Sequence, residues 1–293
     1  MTERQNFWFT LGLMLAVVLD LSVWWQVVRG GPSSQPRLHF LSVGQGDSEL
    51  LELPGGVNML FDAGPDATVV RKLERVLPPA RRTIDLALIT HPQLDHYNGY
   101  RSLIGRYQIG AFLVNGRDDS GSATEWRDLM KLAAAQGVPT VTLGAGDRIR
   151  VGRNTINILA PDAAWRDSAE LNDTGLVAKI NTSAFRALLL ADIDAAEEEY
   201  LATRTDLAAD ILKLSHHGSK FSSSEALLKA VNPRVVAVEV GARNRYGHPS
   251  PETLARVATS TTARIFRTDR DGTITITGQN NVLQVTTQYT AQP

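Results

Sequence analysis

The sequence predicts an α/β fold in which two β-sheets pack face to face beneath helices, preceded by one membrane-spanning helix. Three observations carry this. Short apolar and β-branched runs fall into two blocks, one in each half of the 293 residues. Segments of helical periodicity lie between and outside those blocks, the pattern expected of helices covering two packed sheets. The first stretch, by contrast, is apolar throughout, unlike anything that follows.

That first stretch is "FWFTLGLMLAVVLDLSVWWQVV", residues 7–28, with a single charge at Asp20. A spanning helix needs roughly 20 apolar residues, and Trp8, Trp24 and Trp25 lie near its two ends, where indole rings favour the membrane interface. A cleavable signal has a shorter apolar core and a small-residue cleavage site, so residues 1–28 read as an uncleaved anchor. The competing reading is a buried amphipathic helix, because a carboxylate in mid-span is costly. "RGGPSSQP", residues 29–36, is a linker by its Gly, Pro and Ser content. Residues 37–293 are then one large domain.

The first strand block is "RLHFLSV", "SELLEL", "VNMLFDAG", "IDLALIT", "AFLVN", "TVTLG", "RIRVG" and "TINILA". The second is "LVAKIN", "RALLLADI", "DILKLS", "RVVAVEV", "ARIFRT", "TITITG" and "VLQVTTQ". Helical spacing is expected at 67–77, 123–136, 194–203, 223–231 and 251–259, the last two opening after Ser-rich or Ser-Pro stretches.

Composition narrows the chemistry. The chain has no cysteine, so disulfides and thiolate ligands are excluded, and a metal would sit on His, Asp, Glu or amide oxygen. Its net charge is −1 and its pI near 6.6, which excludes an overall electrostatic magnet for nucleic acid. Five of the six histidines fall in three loops that each follow a strand-like run: His91 and His96 in "THPQLDH", His216 and His217 in "LSHHGSK", and His248 in "RYGHPS". The sixth, His39, lies in an alternating strand and reads as structural. Asp62, Asp95 and Asp192 also follow apolar runs. Strand ends pointing one way would bring these groups to one edge of the sandwich, and imidazole with carboxylate suits zinc, manganese or iron.

The order of these motifs resembles the metallo-β-lactamase fold, and more closely the soluble domain that ends the ComEC family of competence membrane proteins. "LSVGQGDSELLELPGGVNMLFDAG", "ALITHPQLDHYNG", "LNDTGLVAKI", "LLLADID", "ADILKLSHHGSKFSSSEALLKAVNPRVVAVEVGARNRYGHPS" and "IFRTDRDGTITI" follow in that family's order, over roughly residues 37–277. The resemblance implies an αββα sandwich with one or two divalent ions, Zn or Mn, at one edge. It implies that His91 ligates one metal, that Asp95 and His96 ligate the other, and that Asp192 bridges them. From the His pair, His217 is the expected ligand, with His216 either supporting it or being the ligand itself. His248 would face the substrate or complete the first metal, or else merely open the helix that follows. Asp62 would fix the metal loop through backbone N–H groups. Lys220 and Ser219 could hold a phosphoryl oxygen, or be surface charge and helix capping.

Four positions depart from the family's pattern. Gln93 stands where Asp or His is usual, Asn98 and Gly175 where Gly and Ser are, and Ala191 where Gly precedes the bridging Asp. Of these, Gln93 alone touches the metal, as a neutral and weaker ligand. The expected function is a membrane-anchored metal-dependent hydrolase, acting on DNA or another phosphodiester, with its soluble domain on the extracytoplasmic side. The alternatives are a tethered binding module of little or no activity, and a hydrolase of another ester such as a lactone or phosphocholine ester, whose walls would lie in loops such as residues 115–126.

Overall fold

The computed structural model describes residues 3–29, 31, 33–118 and 124–289. The elements run in order as α1 (Glu3–Arg29), β1 (Arg37–Phe40), β2 (Glu49–Leu53), β3 (Val57–Phe61), α2 (Thr68–Val76), β4 (Thr83–Ile89), α3 (Leu94–Tyr97), α4 (Tyr100–Leu103), β5 (Gln108–Val114) and α5 (Thr124–Ala135). Then follow β6 (Thr140–Thr142), β7 (Arg148–Val151), β8 (Asn154–Ala160), β9 (Val177–Asn181), β10 (Arg186–Leu189), α6 (Ala195–Arg204), β11 (Ile211–Lys213) and α7 (Glu225–Val231). The chain closes with β12 (Val235–Val238), α8 (Pro251–Ser260), β13 (Arg264–Arg267), α9 (Thr268–Asp271), β14 (Ile274–Gln279) and β15 (Val282–Thr287).

The strands form an eight-stranded sheet, β15-β14-β1-β2-β3-β4-β5-β6, and a seven-stranded sheet, β13-β12-β11-β10-β9-β8-β7. The predicted two-sheet α/β sandwich is the observed one. Its layers follow from alternation on the strands. In β1, Leu38 and Phe40 face the second sheet and join Ile156, Ile180, Ala187 and Ile211 in the inter-sheet core. Leu50, Leu60, Ala87 and Phe112 point the other way, onto α2, α4 and α5, through Val69, Leu73, Leu103 and Leu129. Leu188, Leu212 and Val236 do the same for the second sheet, against Leu201, Leu227 and Val257 of α6, α7 and α8.

The five predicted helices are present, α7 and α8 capped by Ser224 and Ser250, whose hydroxyls accept from the N–H groups of Leu227 and Thr253. The stretch Arg4–Trp24 has a mean hydropathy of 1.9, and none of it is buried against the rest of the protein. By length and composition it can cross a membrane, a test that a signal sequence near an N-terminus passes as well. Of the loop expected to wall the substrate site, residues 119–123 lie outside the described residues.

One consequence of the topology positions the site. β3, β4, β5 and β6 run parallel, as do β10, β11, β12 and β13. Parallel strands deliver their following loops to a single edge, and the loops after β4, β10 and β11 carry "THPQLDH", "ADID" and "SHHGS".

Candidate metal centre

Asp62, at the end of β3, organises the first loop. Its Oδ1 accepts from the Thr90 N–H at 2.8 Å, and its Oδ2 accepts from the Thr90 hydroxyl and from His96 Nδ1, both at 2.7 Å. The Thr90 oxygen in turn lies 2.9 Å from His91 Nδ1. Both imidazoles are thereby held through Nδ1 with Nε2 directed away, the arrangement by which a carboxylate orients a metal-binding histidine. His217 is held alike, with Nδ1 3.0 Å from the Glu239 carbonyl and 3.2 Å from Asp47 Oδ1.

The three Nε2 atoms and the carboxylates converge. Ligating atoms of His91, His96 and Asp192 lie within 4.8 Å of one another, as do those of Asp95, His96 and His217. His96 Nε2 is 3.3 Å from Asp192 Oδ2, and His217 Nε2 is 3.4 Å from Asp95 Oδ2 and 3.6 Å from Asp192 Oδ2. All three Nε2 atoms and Asp192 Oδ1 are buried and complete no hydrogen bond. Buried polar atoms are seldom left in that state without a ligand. A divalent cation satisfies this N/O donor set, so the residues present fit a metal.

The electrostatics of the cluster follow from the same geometry. Burial lowers His91 to about 3, helped by His96 beside it, so this imidazole is neutral and free to ligate. Burial would raise Asp192, but His217, His96 and Lys213 hold it well below the usual range. Burial likewise opposes charge on His217, yet Asp192 and Asp47 outweigh it and push it up to about 10. Without a cation, protons on His96 and His217 balance the carboxylates; a metal replaces them.

The loops that bring these groups together are bent sharply. Asp62, Ala191, His216 and His217 adopt φ of 52°, 51°, 50° and 53°, in the left-handed region that non-glycine residues avoid. Such residues cluster where a fold over-determines its backbone. The consecutive left-handed pair separates the two histidines. His217 turns inward and is buried, whereas His216 is half-buried, 3.5 Å from Asp194 Oδ1, and belongs to none of the ligand groups.

Two of the departures in sequence compensate one another. A Cβ on Gly175 would lie 2.9 Å from the Ala191 Cβ, so the methyl group at 191 occupies the space that a side chain at 175 would need. Gln93 donates its amide to the Asn172 side-chain oxygen, tying the metal loop to the turn before β9. Asn98 donates to the Pro65 carbonyl at 2.7 Å.

A cavity of about 520 Å³ opens onto the centre, lined among others by Gln93, Asp95, Arg243, Arg245, Tyr246 and His248. His248 lines this cavity, with its Nδ1 buried and unpartnered. Lys220 does not. The turn at His216–His217 sends the chain outward, and its ammonium rests 4.9 Å from the exposed Phe221 ring, while Ser224 caps α7. His39 is structural, bonded to Thr275 and Glu52.

Sequence reasoning missed Asp47 and Lys213. Lys213 is fully buried, donates to Asp47 Oδ2 and to the Ala191 carbonyl, and lies 3.8 Å from Asp192 Oδ1. Its signal was there: a lone lysine inside the apolar run "DILKLS" has to find a buried counter-ion. The Asp in "GQGD" is that partner, 166 residues away. It also missed Arg243 and Arg245.

Residues 57–267 match the Beta-lactamase superfamily domain, and the chain belongs to that family. It is 27% identical over 270 residues to ComE operon protein 3 of Bacillus subtilis (strain 168), covering 85% of this chain and 34% of that protein. It is 26% identical over 246 residues to the competence protein ComA of Neisseria gonorrhoeae, covering 83% of this chain and 32% of that one. The chain therefore spans about a third of the length of these curated relatives. Among solved structures, the Zn(2+)-bound PqqB of Methylobacterium extorquens superposes with a TM-score of 0.50 at 17% identity, over 78% of this chain and 87% of that one, a likeness of fold. A zinc-bound protein thus occurs on this fold, and membership of the family supports a metal-dependent hydrolase at the level of the superfamily.

Proposed function

We propose that this protein is a membrane-anchored phosphodiesterase or nuclease, related in task to DNA-uptake proteins, with its soluble domain on the extracytoplasmic side. The observation that carries the proposal is the convergence of three unpartnered Nε2 atoms with Asp95 and Asp192 at the mouth of a cavity bearing two arginines. His91, His96, His217, Asp95 and Asp192 would hold one or two Zn or Mn ions, which supply charge stabilisation of phosphoryl oxygens and activation of a water. Arg243 and Arg245 suit phosphate oxygens, for which the planar guanidinium is a bidentate donor. His248 is kept neutral by burial, with His217 and His216 beside it. Its free Nδ1 can therefore accept a proton or, once protonated, give one to a leaving oxygen. Asp95, partly open to the cavity, is the carboxylate that a substrate meets first.

The test is metal content and cleavage of a generic phosphodiester by the wild type and by Asp192→Asn and Asp194→Asn. We expect Asp192→Asn to lose metal and all cleavage, and Asp194→Asn to do little. If the wild type binds metal yet cleaves no phosphodiester while opening a lactone or phosphocholine ester, the substrate assignment fails. A second reading, a tethered module that binds without turnover, is favoured by one observation. Gln93 is a neutral amide whose NH2 is turned to Asn172, so it brings no second anionic ligand to the side of His91. Metal binding with no hydrolysis of any ester would support it.

A further inference from the structure

The strand directions that gather the metal ligands at one edge also define the opposite edge, where the parallel strands begin. β1 starts there with Arg37, paired across the sheet with Glu52 and Thr277. Arg82 precedes the first residue of β4, and Arg106 stands two residues before β5. In the second sheet Arg186 opens β10, Arg234 precedes β12 and Arg264 opens β13. The two sheets share this edge. Arg234 donates to the Asn281 carbonyl in the β14–β15 turn at 3.0 Å, and Gly278 of β14 packs on Ala184 of the β9–β10 turn. All six guanidinium-bearing residues are exposed.

The acids of this edge are mostly spent on internal partners. Glu74 holds Arg82 at 2.9 Å, Asp210 holds Arg186 at 3.5 Å, and Asp206 holds Lys179 at 3.0 Å. Glu52 is buried against His39. Among the described residues, Arg37, Arg106, Arg234 and Arg264 form no ion pair. An edge of unpaired arginines in a chain of net charge −1 is a local concentration, not a reflection of composition.

Its place relative to the anchor gives it a partner. Seven residues, 30–36, separate the last residue of α1 from Arg37. Fully extended they reach at most about 25 Å. The edge from which the domain is tethered is therefore the one held nearest the lipid headgroups. The field of anionic lipids decays within about 10 Å, so cations so tethered are the ones able to use it.

We infer that this arginine edge docks on an anionic bilayer surface and holds the metal centre facing away from the membrane. The inference rests on the anchored reading of α1. Docking fixes which way the cavity opens, so that a substrate arrives from the aqueous side without competition from headgroup phosphates.

The test uses the full chain in nanodiscs. The chain has no cysteine, so a single introduced one is a unique label site. Thr262→Cys, exposed just before β13, reports on the arginine edge, and Glu170→Cys, exposed near Asn172, reports on the site edge. A fluorophore at each is quenched by nitroxide on lipid headgroups. In discs containing a third phosphatidylglycerol we expect strong quenching at position 262 and little at 170. In phosphatidylcholine discs, or at high salt, quenching at 262 should fall. Arg37→Gln, Arg106→Gln and Arg264→Gln combined should lower the ratio of docked to free domain roughly 100-fold. The corresponding Arg→Lys triple should retain most of it, and thermal melting should show both triples folded.

Equal quenching at 262 in the two lipid compositions, or an unaffected Gln triple, overturns the inference, as does quenching at 170 in place of 262. Binding of a single-stranded oligonucleotide that the Gln triple abolishes, with no lipid dependence at 262, overturns it in favour of a nucleic-acid surface. Failure of the full chain to enter discs of either composition is a separate result that sinks the anchored reading itself.

Discussion

Gly175 and Ala191 offer the sharpest test of how the Asp192 carboxylate is positioned. Gly175 has φ −63° and ψ 135°, an extended conformation that alanine adopts freely. In the folded state Gly175→Ala therefore perturbs sterics alone. The added Cβ would stand 2.9 Å from Ala191 Cβ, 3.1 Å from the Asn172 carbonyl and 3.7 Å from Ile193 Cγ2. The first contact has to open by several tenths of an ångström, in a region where Ala191 is 2% exposed. Overpacking of this kind costs about 1–3 kcal/mol, against a gain of about 0.4–1 kcal/mol from a stiffer unfolded chain. Ala191→Gly by itself should be nearly neutral. It loses one buried methyl, about 0.8 kcal/mol, and relieves a left-handed alanine, about 1 kcal/mol. In the Ala191→Gly background the new methyl at 175 loses its tightest contact and keeps only the 3.1 Å approach to the Asn172 carbonyl, so the pair should couple by about 1–2 kcal/mol. Urea unfolding of the four variants, read by circular dichroism, measures this as a double-mutant cycle. The same strain should reach the metal, because the Ala191 carbonyl accepts from Lys213 Nζ and the His216 N–H and directly precedes Asp192. Gly175→Ala should bind metal more weakly than wild type, and the double variant should recover. Additivity within about 0.5 kcal/mol would refute the reasoning.

His217→Ala should lose metal, whereas His216→Ala should lose much less, since only His217 is turned into the ligand group; metal analysis after dialysis would show the reverse order if the assignment is off by one. Gln93→Asp exchanges the amide bonded to Asn172 for a carboxylate near His91, and should tighten the weaker metal by roughly 10–100-fold. Activity should then rise at low metal and stay unchanged at saturation, which metal titrations of both proteins would reveal. Glu197, buried and unpartnered, is raised to about 9 by burial and by Asp173 and Asp162 nearby. A carboxyl raised in the folded state binds its proton more tightly there than when unfolded. Stability is therefore lost as pH rises from about 4.5 toward 9, by about 1.4 kcal/mol per unit at most. Glu197→Gln should leave stability at pH 4 nearly unchanged and raise it increasingly toward pH 9; melting curves that stay parallel across that range would refute this.

Much of the fold was legible because its signals are local. Alternation in "RLHFLSV" and the helical spacing of 67–77 each depend on neighbours a few residues apart. The three His-bearing loops were legible for the same reason: each is a short polar break after an apolar run, and strands in two blocks bring such breaks to one edge. The place of Asp62 beneath that first loop was implied by the family resemblance, not by any pattern along the chain.

What the sequence by itself determined about this protein is the α/β sandwich, an apolar N-terminal helix and the set of side chains able to take part in the chemistry. Only the tertiary structure decided how those side chains divide. Two adjacent histidines are indistinguishable in sequence, and the left-handed turn at 216 and 217 buries one in the ligand group and leaves the other half-buried in the cavity wall. Lys220 looked like a phosphate ligand until the same turn carried it off to Phe221. Asp47 and Lys213, 166 positions apart, become one buried ion pair beside Asp192 because β11 ends at the β1–β2 loop. Gly175 and Ala191, two separate oddities along the chain, share one space. These outcomes depend on which atoms are brought within a few ångströms by sheet register and loop closure, and pair distances of that kind are set across the whole fold, not within any one stretch of it.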